Sequence, residues 1–78
     1  AERYKLWTQS IPECMTPEAH IHWHQIAEKY EITGAEIVNV MYYATLKAHS
    51  RATDVLIKED LYEGIKKELK KQDKTFSY

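Results

Sequence analysis

Three histidines alternate with other residues at His20, His22 and His24, and imidazole is a common ligand for zinc, copper and nickel. On a helix, His20 and His24 would share one face while His22 would point elsewhere. The sequence has no second cluster of Cys, His or carboxylate residues that would complete a tetrahedral site. We therefore predict a run of surface histidines and no metal site.

The other candidates for catalysis are isolated. Cys14 is the single cysteine, has no identifiable base beside it, and does not belong to a nucleophile elbow. Glu59 and Asp60 are adjacent, so on a helix they would diverge around the axis, which suits helix N-terminal charges better than an acid–base pair. The phosphate-binding pattern GxxxxGK(S/T) does not occur. We predict that this chain by itself has no catalytic residue.

Composition limits the class of protein. The 78 residues suit one small domain, and 11 basic against 12 acidic residues give a net charge of -1, which offers no general attraction for nucleic acid or anionic membranes. No apolar run approaches the roughly 20 residues that span a bilayer, and one unpaired cysteine suits a reducing compartment. We predict a soluble, cytoplasmic protein. The chain enters a helical pattern directly after Ala1, so we expect further chain upstream.

Four segments have apolar residues at helical spacing, which predicts an all-α fold. The first segment is expected to end at Pro12. The second has two candidate starts, at Thr16 before Pro17 or nearer His22, and the sequence does not choose between them. The apolar positions of these two segments are Tyr4, Trp7 and Ile11, then Trp23, Ile26, Ala27 and Tyr30.

The third helix has a well-specified start. Thr33 and Glu36 form a T-x-x-E capping box, and Ile32 and Ile37 occupy the positions of a hydrophobic staple, so the helix should begin at Gly34. We expect it to be the most buried helix of the fold because its apolar stripe is long and wide. That stripe consists of Ile37, Met41, Ala44 and Ala48, widened by Val38, Val40 and Thr45.

The rest of the chain predicts a turn over 52–54, a short apolar run over 55–57 at the edge of the core, and a fourth helix. That helix should start near Glu59 and Asp60 and fray there, because Lys58 is a poor N-cap. Residues 73–78 have no periodicity and are expected to form a flexible tail. Lysines near the helix C-terminus are interpreted as a solvated face that complements the helix dipole: Lys66, Lys67, Lys70, Lys71 and Lys74.

A helix-turn-helix is one alternative, with the third helix entering the major groove of DNA. That helix opens with Gly34, Ala35 and Glu36 and has no basic residue before Lys47. Contacts to bases and phosphates need donors and positive charge near the start of a recognition helix. We therefore predict no nucleic-acid partner.

Several short motifs in register resemble the lid of AAA-type ATPases. Ile26–Ala27, the ITGAEI stretch over 32–37 and the ATLKA stretch over 44–48 match its pattern in order and spacing. Residues 3–12 look like the first lid helix, and residues 57–65 look like the start of the last. The resemblance covers nearly the whole chain and implies a small four-helix bundle of the AAA+ lid type over residues 1–72.

The resemblance also implies an ATP site in the cleft between this lid and a larger α/β domain that would bind magnesium. In that family the Gly34–Ala35 step approaches the adenine and ribose, since backbone comes close where no large side chain intervenes. Ile11 and Pro12 would lie near the adenine. Ser10 departs from the pattern, because many members carry there a histidine that touches the nucleotide.

The parent protein would then be an ATP hydrolase whose lid couples ATP binding and hydrolysis to motion between neighbouring subunits. The fragment alone would not be catalytic. Its partners would be its own N-terminal α/β domain, adjacent subunits in a hexameric ring, and a protein substrate. The alternative is a free-standing helical module that binds another protein. A lid should expose an apolar patch around Trp7, Ile11 and Pro12, whereas a complete module should cover it.

Overall fold

The computed structural model describes residues 2–71 of the chain. Within that range it contains four helices and two short strands: α1 (Glu2–Gln9), β1 (Thr16–Pro17), α2 (Trp23–Lys29), α3 (Gly34–Ser50), β2 (Val55–Leu56) and α4 (Lys58–Lys71). This mostly helical architecture is consistent with the predicted all-α class. The predicted tail over 73–78, with Lys74, lies outside the described residues.

The first helix ends earlier than predicted, at Gln9 rather than at Pro12. The backbone N–H of Ser10 donates to the carbonyl of Leu6 at 3.1 Å, and the Ser10 hydroxyl donates to the same oxygen at 2.6 Å. These bonds satisfy a carbonyl that the end of the helix would otherwise leave unpaired. Ile11 is disfavoured in a helical conformation because it precedes Pro12, so the chain leaves the helix before the proline.

Thr16 and Pro17 do not start a helix, so the later of the two candidate starts for α2 is the right one. They form β1, which pairs in parallel with β2 in a two-stranded sheet. The N–H of Thr16 donates to the carbonyl of Asp54 and the N–H of Glu18 donates to that of Leu56, both at 2.8 Å. The sheet thus joins the α1–α2 connection to the α3–α4 connection.

The predicted start of α3 is confirmed. Thr33 is the N-cap, its hydroxyl accepts from the N–H of Glu36 at 3.2 Å, and the Glu36 carboxylate accepts from the N–H of Thr33 at 2.7 Å. Ile32 and Ile37, the predicted staple residues, are both buried. The helix buries a single stripe: Ile37, Val40, Met41, Ala44 and Ala48.

The predicted widening of that stripe is wrong at Val38, which is exposed. The prediction that α3 is the most buried helix is also wrong. Six of the 14 residues of α4 are buried, against five of the 17 residues of α3. The buried residues of α4 include Asp60, Gly64 and Glu68 in addition to its apolar positions.

A Schellman motif ends α3. The N–H of Thr53 donates to the carbonyl of Ala48 at 3.1 Å and that of Ala52 donates to His49 at 2.9 Å. Ala52 has φ 57°, the left-handed conformation that this motif requires. The predicted turn is therefore present. After it Leu56 is buried, as expected of a residue that fills the edge of the core.

The first turn of α4 has a hydrogen-bond partner from far away in the sequence. The N–H of Lys58, the first residue of α4, donates to Glu18 Oε2 at 3.2 Å. Lys58 is therefore not the N-cap that the predicted fraying assumes: it is the first residue of the helix, and Glu18 accepts from its N–H. Asp60 lies in the first turn as predicted, but it is buried and forms an ion pair with Arg51.

The helices pack around one core. Contacts between α3 and α4 run from Asn39 with Glu68 to Arg51 with Asp60, so the two helices are antiparallel. In the first half of the chain, Arg3 Nε donates to the carbonyl of Ala27 at 2.7 Å and links α1 to α2. Among residues 2–71, every helix is too short or too polar to cross a lipid bilayer.

Candidate functional site

An open groove of about 430 Å³ lies between the end of α1 and one face of α3. Two of the predicted site residues, Ser10 and Pro12, line it. The remaining lining residues are Gln9, Val38, Met41, Tyr42 and Thr45. Its size falls within the range of about 300–1,000 Å³ that is common for small-molecule sites.

Ser10 and Ile11 have different roles at the α1 end of this groove. The Ser10 hydroxyl donates its proton to the Leu6 carbonyl, so toward a ligand it offers an acceptor oxygen. Ile11 is half-buried and packs against the hydrophobic core, and it is not among the residues that line the groove. The predicted cluster of Ser10, Ile11 and Pro12 is therefore divided between a groove wall and the core.

Gly34 and Ala35 lie beside α1 at the start of α3. A Cβ atom added to Gly34 would lie 3.5 Å from Leu6 Cδ1, an ordinary van der Waals distance, and Ala35 is exposed. Ala35 shares a helix face with Val38, which lines the groove, because the two are three residues apart. Neither Gly34 nor Ala35 is among the residues that line the groove.

The groove has no charge of its own. None of its seven lining residues is ionisable at neutral pH, and its surface is mostly apolar. Glu36, the acidic residue nearest in sequence to Gly34 and Ala35, is held in the capping box with Thr33. Such a groove suits a flat, apolar group such as a nucleobase or an aromatic side chain, while a phosphate chain would need cations from elsewhere.

An exposed apolar stripe on α3 is a feature that was not predicted. Val38, Tyr42 and Leu46 are 56%, 66% and 49% exposed. They recur every four residues, so they share one helix face, and two of them line the groove. The detectable signal was that α3 has apolar residues around most of its circumference, a pattern typical of a helix with partners on two sides.

The patch expected around Trp7, Ile11 and Pro12 has a different composition. Trp7 is fully buried, and its indole packs near Trp23 with ring centroids 5.9 Å apart. Trp7 Nε1 has no hydrogen-bond partner among residues 2–71. The exposed apolar surface next to the groove is formed instead by Leu6, Val38 and Tyr42.

The histidines do not form a common site in the described part of the chain. His20 and His22 precede α2, so His20 and His24 do not share a helix face. The His24 ring stacks on Tyr4 with centroids 3.9 Å apart and an interplanar angle of 5°. Among residues 2–71, no group of three or more His, Cys, Asp or Glu residues is arranged to hold a metal ion.

Comparison with known proteins gives no match to a protein-family model and none to a curated protein sequence. The function must therefore be argued from the groove, the start of α3 and the exposed surfaces.

Proposed function

We propose that this chain is the C-terminal helical lid of an AAA-type ATPase and that it covers ATP held by an α/β domain. One observation supports the proposal most: the capped start of α3 at Gly34 lies beside Leu6 of α1, and Ser10 and Pro12, which follow α1, line a groove against α3. The family resemblance assigns nucleotide contacts to Gly34, Ala35, Ser10 and Pro12, and the two pairs lie more than 20 positions apart in the sequence.

The chemistry of this surface supports a contact with the base and ribose of ATP. The apolar wall formed by Pro12, Val38 and Tyr42 can pack against adenine, and Ser10 offers an acceptor oxygen. The triphosphate and its magnesium ion would be bound by the α/β domain, since the groove supplies no charge. Hydrolysis itself would also take place there.

The packing of the helices supports a role in transmitting motion. α1 and α3 border the groove together, and α4 packs against α3 on another side through Gly64 and Glu68. A shift of the nucleotide against α1 and α3 would therefore move α4 as part of one packed body. In a hexameric ring this movement would reach the neighbouring subunit and, through it, a protein substrate.

A second candidate is a free-standing helical module that binds another protein. It is favoured by the burial of Trp7 inside the chain's own core and by the exposed stripe of Val38, Tyr42 and Leu46. In this case a partner helix would cover the stripe, and no nucleotide would be bound.

The test is ATP turnover by the chain extended upstream by about 200–250 residues, the length of one further domain. Gly34→Arg places bulk at the proposed nucleotide contact, and we expect it to raise KM with little change in kcat. Ala19→Arg adds the same side chain at an exposed position between β1 and α2, and it should leave KM within about twofold of the unmodified protein.

Equal effects of Gly34→Arg and Ala19→Arg on KM would contradict the placement of the nucleotide at the start of α3. Absence of both turnover and nucleotide binding in the folded, extended protein would overturn the ATPase proposal and favour the interaction module.

A further inference from the structure

The outer face of α4 has a dense cluster of exposed lysines. Lys66, Lys67, Lys70 and Lys71 lie within six consecutive positions, and all four are exposed. The chain as a whole has a net charge of -1. Positive charge is therefore concentrated on one helix of a molecule that is otherwise slightly acidic.

The helix dipole accounts for only part of this cluster. Its effect falls off within the last turn of a helix, and the last turn of α4 contains Lys70 and Lys71. Lys66 and Lys67 lie one turn earlier. Lys66 and Lys70 are also four residues apart, as are Lys67 and Lys71, and like charges at this spacing destabilise a helix.

Within residues 2–71, the carboxylates of α4 form an ion pair with only one of these four lysines, Lys71. Asp60 pairs with Arg51, and Glu68 is buried and accepts from Lys71 Nζ at 2.9 Å and from Asn39 Nδ2 at 3.3 Å. Glu63 accepts from the Tyr43 hydroxyl at 2.8 Å. Within residues 2–71, no carboxylate lies at ion-pair distance from the remaining three lysines: Lys66, Lys67 and Lys70.

These three lysines surround a groove of about 430 Å³ beside Tyr43. Lys67 Nζ lies 4.7 Å from the centroid of the Tyr43 ring, so the ring holds one ammonium group in place. Glu63 also lines the groove. The groove thus combines an aromatic ring, one carboxylate and three lysines without an ion-pair partner in the described part of the chain.

We propose that this lysine face, Lys66, Lys67 and Lys70 around Tyr43, binds an acidic segment of a partner protein. Discrete carboxylates of a peptide can be placed against the three lysines and away from Glu63. A nucleic-acid backbone carries evenly spaced charge, and Glu63 in the groove would repel it. The absence of arginine from residues 52–78 removes the bidentate phosphate contacts that a nucleic-acid surface usually has. This inference does not depend on the lid proposal.

The experiment measures binding of a fluorescein-labelled oligoglutamate peptide to the 78-residue chain by fluorescence anisotropy, at low salt and at about 0.15 M salt. The triple variant Lys66→Gln, Lys67→Gln, Lys70→Gln should weaken binding about tenfold or more, which corresponds to three surface ion pairs of ordinary strength. The control variant Lys5→Gln, Lys29→Gln, Lys47→Gln changes the net charge equally and should bind within about twofold of the unmodified chain.

Equal weakening by the two triple variants would overturn the proposal, because binding would then follow net charge alone. Tighter binding of an oligothymidylate of equal length would overturn it in favour of a nucleic-acid partner. A second measurement does not rely on the variants: amide chemical shifts of the unmodified chain should change over residues 63–71 and at Tyr43 when the peptide is added. Shift changes confined to other helices would also overturn it.

Discussion

Gly64 of α4 packs so closely against Val40 of α3 that an added Cβ atom would lie 3.0 Å from Val40 Cγ1 and 3.3 Å from Val40 Cα. The second contact is with backbone, which cannot rotate away. We therefore expect Gly64→Ala to destabilise the fold, because overpacking costs about 1–3 kcal/mol while the gain in helix propensity returns only about 1 kcal/mol. Urea denaturation of both proteins measures the difference.

Gly34→Ala is the matched control for Gly64→Ala, since the same atom added at Gly34 would meet only the flexible end of Leu6, at 3.5 Å. Its free energy of unfolding should stay within about 0.5 kcal/mol of the unmodified chain. Equal stability of Gly64→Ala and Gly34→Ala would contradict the close contact between Gly64 and Val40.

The cap of α3 gives a second prediction. Thr33→Ala removes the hydroxyl that accepts from Glu36, and loss of such a cap should lower the free energy of unfolding by about 1 kcal/mol. Thr45→Ala is the control in the same helix, where the hydroxyl donates to the Met41 carbonyl at 2.8 Å and alanine has the higher helix propensity. Thermal unfolding should rank Thr33→Ala clearly below Thr45→Ala, and the reverse order would contradict the capping box.

A third prediction concerns pH. The hydrogen bond to Glu63, with burial and the charge of Glu63, raises the pKa of Tyr43 above its ordinary value of 10.0. Because the raised pKa belongs to the folded state, this contribution to stability is complete below pH 10.0 and is lost as the pH rises through the folded-state value.

Tyr43→Phe removes that contribution. At neutral pH the variant should be less stable by at most about 1 kcal/mol, since the hydrogen bond is exposed. The difference from the unmodified chain should shrink as the pH is raised above 10.0. Urea denaturation across this range gives the difference directly, and a difference that grows with pH would have the wrong sign.

The turn after α3 gives a fourth prediction. Ala52 has φ 57°, a conformation that costs an L-residue about 1–2 kcal/mol and glycine almost nothing. Glycine loses more chain entropy on folding, so we expect Ala52→Gly to raise the free energy of unfolding by about 0.5–1 kcal/mol net. Ala19→Gly, at a residue without positive φ, should lower it. Destabilisation by both changes would contradict the Schellman motif.

The sequence predicts those parts of the fold that local chemistry determines. The start of α3 was correct because Thr33 and Glu36 satisfy each other's backbone groups within four residues. The strand at Thr16 was not predicted, because its hydrogen bonds go to Asp54 and Leu56, almost 40 positions away. Periodicity alone also predicts burial of Val38, but its side chain is exposed at the wall of an open groove.

The candidate site is likewise predicted only in part. Of the residues that the resemblance indicates, Ser10 and Pro12 line the groove, whereas Gly34 and Ala35 do not. Ile11 turns toward the core because its apolar side chain gains more there than in an open groove. The sequence indicates the lysines as a solvated face but does not indicate Tyr43 beside them, since that grouping depends on how α3 and α4 pack and on which carboxylates are paired in the folded chain.

The two-stranded sheet has a consequence for how the molecule opens. β1 belongs to the half of the chain with α1 and α2, and β2 belongs to the half with α3 and α4. The Glu18 carboxylate extends this link to the first amide of α4. The sheet thus connects two helical hairpins, and its hydrogen bonds should break when the hairpins separate. The amides of Thr16, Glu18 and Lys58 should exchange with solvent together, in one cooperative opening.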